Sequence, residues 1–265
     1  MKAQKTQEVP TVKIGIIGAG RIGGGVARQL AGAGHQVLLS FSRDRAALDE
    51  LAAQIGPSAS TGSPQDAVAF GEVVVISVPW SVLPQALEQA GPLDGKIVID
   101  TTNQFGGPPL PAEGQTAAAF NAARMPGARY TKSFNTLTSA FQAEAAGRTG
   151  DARAVQWLCG DDAAAKEVVA ELIRDAGFVP VDLGGTAGCA VMEAPRRPGA
   201  VYGEEYRPAD AQGVVDAVRA GRPIPPTPRY RSLPLGGRWI KPPEGRARPH
   251  RMRDRPGPAC WSRRR

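Results

Sequence analysis

The chain has 265 residues, 42% of them hydrophobic, which is enough for one large α/β domain or for such a domain with a small appendage. No apolar run approaches the roughly 18 residues of a membrane span, and the stretch before the first strand has no apolar segment typical of a targeting peptide. The three cysteines lie far apart without metal-ligand spacing, which argues against a zinc site and a disulfide framework. We therefore expect a cytoplasmic protein with no membrane contact and no bound metal.

The formal net charge of +7 is unevenly distributed. Residues 222–265 contain 13 Lys/Arg, 2 Asp/Glu and 10 of the 24 prolines, so this segment carries a net +11 and residues 1–221 a net −4. The segment has neither helical nor alternating periodicity, which predicts a disordered Pro/Arg-rich tail. A solvated tail is favoured over a nucleic-acid-binding arm, so we expect no nucleic-acid partner.

Apolar strands alternate with helical patterns along the rest of the chain. The first strand, at residues 12–17, leads through a glycine turn into a helix, and a second strand at 36–40 precedes a helix capped by Asp44. Further strands are predicted at 72–78, 96–100, 130–134, 154–159 and 178–182, and further helices at 81–90, 115–125 and 163–176.

Strands separated by helices need crossover connections, so this order implies parallel pairing. The pattern predicts a doubly wound, mostly parallel sheet of about seven or eight strands, which is the Rossmann fold of the α/β class. We assign residues 1–185 to this Rossmann domain, 186–221 to a small C-terminal elaboration and 222–265 to the tail.

The glycine turn after the first strand predicts a phosphate-binding site. In the sequence GAGRIG, Gly18 permits the sharp turn, Gly20 lets the backbone approach a pyrophosphate, and Gly23 lets the helix pack on the strand. The N-terminus of the helix offers free N–H donors to the phosphates. A lone GxGxxG motif is weak evidence, but its position between a buried strand and a helix favours this interpretation.

The end of the second strand indicates which dinucleotide is bound. An NAD site usually has an acidic residue there for the ribose diol, whereas this strand ends in Ser40-Phe41-Ser42-Arg43. Ser42 and Arg43, with possible help from Arg45, offer hydrogen bonds and charge to a 2′-phosphate, which favours NADP. Asp44 could serve as the ribose acid, but we interpret it as the N-cap of the next helix.

Three more loops should converge on the carboxyl edge of the sheet, where open α/β folds bind ligands. Val78, Pro79 and Trp80 follow one strand and are placed to contact the nicotinamide ribose, although Trp80 could equally be a core aromatic. Asn103 and Asn135 follow two other strands and could contact the ligand or satisfy the loop backbone.

No residue has the setting of a general acid or base. The two histidines, His35 and His250, lie in a turn and in the tail, and the other candidates near the crevice are Lys132, Tyr130 and Glu193. A flavin-like acceptor takes a hydride at carbon and exchanges its proton with solvent, so it relaxes the need for such a group. We therefore predict no catalytic side chain.

In order, the segments GIIGAGRIGGGVARQLAGAGHQVLLSFSR, SVPW, KSFNT and LCGDD, with a following GFVPVDLG, resemble the NADPH-dependent coenzyme F420 reductases (F420:NADP oxidoreductases) over residues 12–185. The resemblance implies direct hydride transfer between NADPH and the deazaflavin F420, without an obligate catalytic side chain. It assigns the pyrophosphate to Gly18, Gly20, Arg21, Ile22 and Gly23, the 2′-phosphate to Ser42 and Arg43, the nicotinamide half to Val78, Pro79 and Trp80, and the hydride-transfer pocket to Asn135.

The family's archaeal members end in compact apolar helices that help form the deazaflavin pocket and a dimer contact, and this chain shows no obvious equivalent. Three functions stay open: a deazaflavin reductase, an NADP-dependent reductase of an imine or carbonyl, and a non-catalytic NADP-sensing module. The second requires Lys132 or Tyr130 to project into the cleft. A small-molecule redox co-substrate is the expected partner, and a homodimer is an option.

Overall fold

An eight-stranded, mostly parallel sheet forms the centre of the fold, and its strands lie in the order β3-β2-β1-β4-β5-β6-β7-β8. The computed structural model describes residues 10–106 and 114–226. The strands are β1 Lys13–Ile17, β2 Gln36–Ser40, β3 Ala59–Thr61, β4 Val73–Ile76, β5 Ile97–Asp100, β6 Arg129–Lys132, β7 Val155–Gly160 and β8 Val179–Asp182. The helices are α1 Arg21–Gly32, α2 Arg45–Ile55, α3 Pro64–Phe70, α4 Leu83–Ala90, α5 Ala117–Ala123, α6 Ser139–Ala145, α7 Ala163–Asp175 and α8 Pro208–Arg219.

Apolar side chains cover both faces of the sheet. The central strands β4 and β5 are buried at every position, as parallel strands between two helical layers must be. One face packs under α1, α2, α6 and α7, and the other under α3, α4, α5 and α8. Helices on both faces of a mostly parallel sheet confirm the predicted doubly wound Rossmann fold.

One pairing differs from the parallel arrangement that intervening helices predict. β7 runs antiparallel to β6, with Thr131 opposite Gly160 and Lys132 opposite Cys159. The connecting helix α6 has only seven residues and does not carry the chain back to the amino edge. The chain therefore re-enters the sheet from its carboxyl edge, beside the loop that follows β6.

Three helices and one strand are absent from the sequence prediction. α3 begins with a capping box between Ser63 and Asp66, with Pro64 in the first turn, and α8 begins similarly with Pro208 and Asp210. These two starts are readable in the sequence as SPQD and RPAD. The other two elements, β3 and α6, have three and seven residues and are too short to show a period.

The C-terminal elaboration packs on the same core as the Rossmann unit. Met192, Val201 and Val214 are fully buried there, and α8 is an amphipathic C-terminal helix, absent from the sequence prediction, that packs its apolar face on this core. Ile224, assigned to the tail, is also buried, and the Arg222 N–H donates to the Ala217 carbonyl at 2.9 Å. The ordered body therefore extends past residue 221, and the prediction of disorder for the rest of the tail concerns residues 227–265, outside the described ranges.

A buried disulfide contradicts the expectation drawn from cysteine spacing. Cys159 and Cys189 are both fully buried and are bonded, with their Cα atoms 6.0 Å apart. They are 30 residues apart in sequence, and only the return of the chain through β8 into the 3₁₀ turn Thr186–Met192 brings them together. Cysteine spacing therefore gives no support for a reducing compartment, and the cytoplasmic location stays a prediction. Within the described ranges every helix is too short or too polar to span a bilayer.

Candidate functional site

The carboxyl ends of five neighbouring strands form one edge, and the chain order reverses there between β1 and β4. Open α/β folds bind ligands at such a point. Backbone hydrogen bonds join the residues at the ends of neighbouring strands. The loops that contain the predicted site residues therefore all begin at this edge. The bonds run from the Gly18 N–H to the Ser40 carbonyl (3.0 Å), Ser77 to Ile17 (2.8 Å), Thr101 to Ile76 (3.0 Å) and Ser133 to Asp100 (3.2 Å).

Packing requires two of the three motif glycines. Gly18 has φ +99°, and a Cβ there would overlap the Ser77 carbonyl, so only glycine permits this turn next to β4. A Cβ on Gly23 would overlap the Gly18 carbonyl oxygen, so the absent side chain brings α1 close to the turn. These positions confirm the structural roles that the motif predicts for Gly18 and Gly23.

Gly20 is different, because nothing in the protein requires a glycine there. Its φ is −73°, and a Cβ would have no atom within 4 Å. It is the N-cap of α1, whose start has no side-chain cap and no acidic residue in the first turn. Arg21 is exposed and Ile22 half-buried beside it. The space next to Gly20 and the uncapped N–H groups therefore fit an anionic ligand that approaches the backbone.

Two strand exits at this edge hold a phenylalanine in the left-handed region. Phe41 follows β2 and Phe134 follows β6, and each has φ +57°. This conformation costs a side-chain-bearing residue on the order of 1–2 kcal/mol, so the surrounding structure must enforce it. Each of these residues immediately precedes a predicted site residue, Ser42 in one case and Asn135 in the other.

The loop after β2 leaves one cation unengaged. Asp44 caps α2 by accepting from the Ala47 N–H at 3.1 Å, which confirms its predicted role, and Ser42 Oγ donates to the Asp44 carbonyl at 2.8 Å. Arg45 is held by Asp49 at 3.1 Å and by a Thr61 hydroxyl. Arg43 is exposed and makes no hydrogen bond or ion pair with any described residue. Its guanidinium is therefore free to bind an anion.

The loop after β4 buries two of its three predicted contact residues. Val78 and Trp80 are each 6% exposed, whereas Pro79 is exposed. The Trp80 ring packs on Phe120 with centroids 5.8 Å apart. The structure thus places the Trp80 ring in the core, one of the two options that the sequence leaves open, and leaves Pro79 exposed.

Asn103 and Asn135 join the loops that follow β5 and β6. Asn103 Nδ2 donates to the Asn135 carbonyl at 2.9 Å, and Asn135 Nδ2 donates to Asn103 Oδ1 at 3.1 Å and to the Met192 carbonyl at 2.7 Å. Both side chains therefore satisfy loop backbone. The buried atoms Asn135 Oδ1 and Thr136 Oγ1 have no partner among the described residues.

A buried polar cluster lies next to the hydrogen bonds between Asn103 and Asn135. Asp100 Oδ1 accepts from the Thr102 N–H at 2.7 Å, and its Oδ2 accepts from the Tyr130 hydroxyl at 2.5 Å and from Asn121 Nδ2 at 2.8 Å. Lys132 Nζ lies 3.5 Å from Oδ2 and donates to the Thr102 carbonyl at 2.6 Å. The cluster fixes the loop after β5 against β6.

None of the three acid–base candidates projects into the crevice. Lys132 is fully buried and Tyr130 is 6% exposed, and both are bonded inside the cluster. Burial, reinforced by the adjacent Asp100, raises the pKa of Tyr130 well above its usual value. The Glu193 carboxylate accepts from the Ala117 and Ala118 N–H groups at 2.9 and 2.7 Å and so caps α5.

Asp100 and Asn121 are absent from the predicted site, although Asp100 is a charged residue at the end of an otherwise apolar strand.

His35 lies where the sequence places it, away from the site. Its ring lies between the Val12 N–H (3.2 Å) and the Asp175 carboxylate (3.1 Å). The described residues contain no group of three or more His, Cys, Asp or Glu side chains that could hold a metal ion.

Comparison with known proteins identifies a family domain in the first half of the chain. Residues 13–104 match the family described as NADP oxidoreductase coenzyme F420-dependent. The solved structure of the hypothetical protein SMa0349 from Sinorhizobium meliloti is 30% identical, with a TM-score of 0.65, and the match covers 76% of this chain and 97% of that one. Residues 13–104 therefore carry a domain of the F420-dependent NADP oxidoreductase family.

Two further proteins are similar to this chain, and they differ from each other in length and description. A structure from Arthrobacter sp. FB24, described as a "putative F420 dependent NADP-reductase", is 28% identical, with a TM-score of 0.56, and the match covers 66% of this chain and 86% of that one. The metalloreductase STEAP3 of Rattus norvegicus is 30% identical over 193 residues, which are 72% of this chain and 37% of that protein. The chain thus spans little more than a third of this curated relative.

Proposed function

We propose that this protein is an NADP-dependent oxidoreductase that transfers a hydride between NADPH and a deazaflavin, coenzyme F420. One observation carries the proposal: a glycine turn suited to a phosphate stands at an edge where the three predicted acid–base candidates, Lys132, Tyr130 and Glu193, are buried and bonded within the protein. A deazaflavin takes a hydride at carbon and exchanges its nitrogen-bound proton with solvent, so the protein needs to supply only proximity and orientation.

The residues at the edge fit NADPH, which supplies the hydride when it is bound. The open space at Gly20 and the uncapped start of α1 suit a pyrophosphate, and the free Arg43 guanidinium with Ser42 suits a 2′-phosphate. Asp44 is occupied as a helix cap, so no acid is left at the end of β2 for a ribose diol. A ligand N–H or O–H near Asn135 Oδ1 would also satisfy an atom that is otherwise unpaired.

Arg43→Ala should weaken NADPH binding and leave NADH binding unchanged. A charge-assisted hydrogen bond contributes about 1.5–3 kcal/mol, so the dissociation constant for NADPH should rise roughly ten- to a hundredfold. Titration of protein fluorescence with each nucleotide measures both constants. Arg45→Ala is the matched control, since its guanidinium is engaged by Asp49 and Thr61 and should contribute little. Equal weakening of NADPH and NADH by Arg43→Ala would contradict a 2′-phosphate contact.

The reduction of an imine or carbonyl is disfavoured by the same geometry. Such a substrate needs a proton donor in the cleft, and both candidates, Lys132 and Tyr130, are buried with their polar atoms bonded to Asp100 and Thr102. Hydride transfer to a ring acceptor has no such requirement.

A panel of acceptors tests the proposal. NADPH oxidation is followed by absorbance with the deazaflavin, with a flavin, with a cyclic imine, with a ketone and with a ferric chelate. We expect rapid bleaching of the visible band of the deazaflavin and slower or no turnover of the imine and ketone. Efficient turnover of the imine or ketone, with the deazaflavin inert, would reject the proposal.

A further inference from the structure

Two aromatic side chains stand together at the carboxyl edge, outside the core. Phe105 is 61% exposed and is the one large hydrophobic side chain that is exposed among the described residues. Its ring lies 6.1 Å from the ring of the half-buried Tyr202, centroid to centroid, at an interplanar angle of 60°. The two rings come from segments almost 100 residues apart, so the fold, rather than local sequence, brings them together.

Both rings are anchored to the bridge between the loops that follow β5 and β6. The Phe105 N–H donates to the Asn103 carbonyl at 2.8 Å, which turns the chain directly after the bridge. On the other side, the Gly203 N–H, next to Tyr202, donates to the Thr136 carbonyl at 2.8 Å. The ring pair is therefore fixed to Asn103 on one side and to the residue after Asn135 on the other.

This position is next to the end of the crevice at which the nicotinamide half of the cofactor is predicted to lie. Phe105 lies in the loop that follows β5, and β5 is the neighbour of β4, the strand from which Val78 and Pro79 leave. A second substrate that receives a hydride must meet the nicotinamide at the carboxyl edge. The exposed Phe105 ring with Tyr202 beside it offers an aromatic surface at this edge.

We propose that Phe105 and Tyr202 form an aromatic wall that selects a planar, conjugated tricyclic ring as the hydride acceptor. The inference rests on the proposed function and specifies which residues choose its second substrate. Aromatic side chains bind flat heterocycles by stacking and by burial of apolar area, whatever the polar pattern at the ring edge.

The wall predicts a loss of acceptor affinity without a loss of cofactor affinity. Phe105→Leu and Tyr202→Leu keep apolar bulk but remove the rings, and each should raise the dissociation constant of the deazaflavin about ten- to a hundredfold. The constants are measured by fluorescence on the complex with NADP⁺, with riboflavin as a second tricyclic probe. Phe105→Tyr keeps a ring and should retain wild-type affinity.

Three controls separate the wall from other effects. Phe70→Leu changes a phenylalanine that contacts Lys13 at the start of β1, at the opposite edge, and should change nothing. The dissociation constant for NADPH should match wild type in every variant. Circular dichroism confirms that the variants are folded.

The possible outcomes separate failure of the aromatic wall from failure of the proposed function. If wild type binds a tricyclic ring and both leucine variants bind it equally well, the wall is wrong and the proposed function stands. If wild type binds neither the deazaflavin nor riboflavin, both proposals are rejected. If NADPH affinity falls in parallel with acceptor affinity, the two rings support the fold of the site rather than select its second substrate.

Discussion

Gly20→Val should abolish NADPH binding while leaving the protein folded. A side chain at this position meets no protein atom within 4 Å, and the backbone there has a negative φ that valine can adopt. The added methyl groups would instead occupy the space through which a pyrophosphate approaches the backbone N–H groups of α1. We expect the dissociation constant for NADPH to rise at least about a hundredfold, which corresponds to about 2.7 kcal/mol or more of lost binding free energy.

The measurement pairs nucleotide titration with thermal unfolding. Gly25→Val is the matched control, because Gly25 is on the same helix and also has open space at its Cβ position. It tests the cost of valine in a helix, which is small, without reaching the predicted ligand space. Gly18→Val is unsuitable as a binding test, since its side chain would overlap the Ser77 carbonyl and disturb the fold itself. Normal NADPH affinity in a folded Gly20→Val protein would mean that the pyrophosphate lies elsewhere.

The three motif glycines show which structural features a local sequence motif can predict. The sequence predicts the order of strand, turn and helix, and therefore the positions of Gly18, Gly20 and Gly23, because period and motif are local properties. The same holds for Asp44, whose capping role depends only on the next three residues. It also holds for the convergence of the loops, which follows from parallel strands that share one edge.

Features that depend on distant contacts could not be predicted in this way. The direction of β7 depends on where the chain re-enters the sheet after α6. The disulfide between Cys159 and Cys189 depends on the return of the chain through β8. The rings of Phe105 and Tyr202 meet through contacts between loops, and no periodic pattern encodes such contacts. The sequence predicts that Asn103 and Asn135 lie at the carboxyl edge. It does not predict their mutual hydrogen bonds, because the two residues are far apart in sequence.

The buried cluster around Asp100 leads to a prediction about stability rather than chemistry. Lys132→Met should lower the free energy of unfolding by about 3 kcal/mol, because it leaves the Asp100 carboxylate buried without its counter-ion. Lys96→Met is the matched control: Lys96 is half-buried and donates to the Gly71 carbonyl at 2.8 Å, at the opposite edge of the sheet. Denaturant titration of both variants measures the difference, and equal losses would show that the ion pair contributes nothing specific.

Catalysis should respond far less than stability to changes in this cluster, because the proposed transfer uses proximity and orientation. Tyr130→Phe removes the hydroxyl that the sequence offers as a proton donor and leaves the ring in place, at a stability cost of about 1–3 kcal/mol for the lost bond to Asp100. Single-turnover oxidation of bound NADPH by the deazaflavin, with saturation by both ligands confirmed, should stay within about tenfold of wild type in Tyr130→Phe and in folded Lys132→Met. Loss of a general acid costs about 10²- to 10⁴-fold, so the two outcomes are well separated. A thousandfold loss in Tyr130→Phe at saturation would make Tyr130 a proton donor, and it would favour the reduction of an imine or carbonyl over transfer to a deazaflavin.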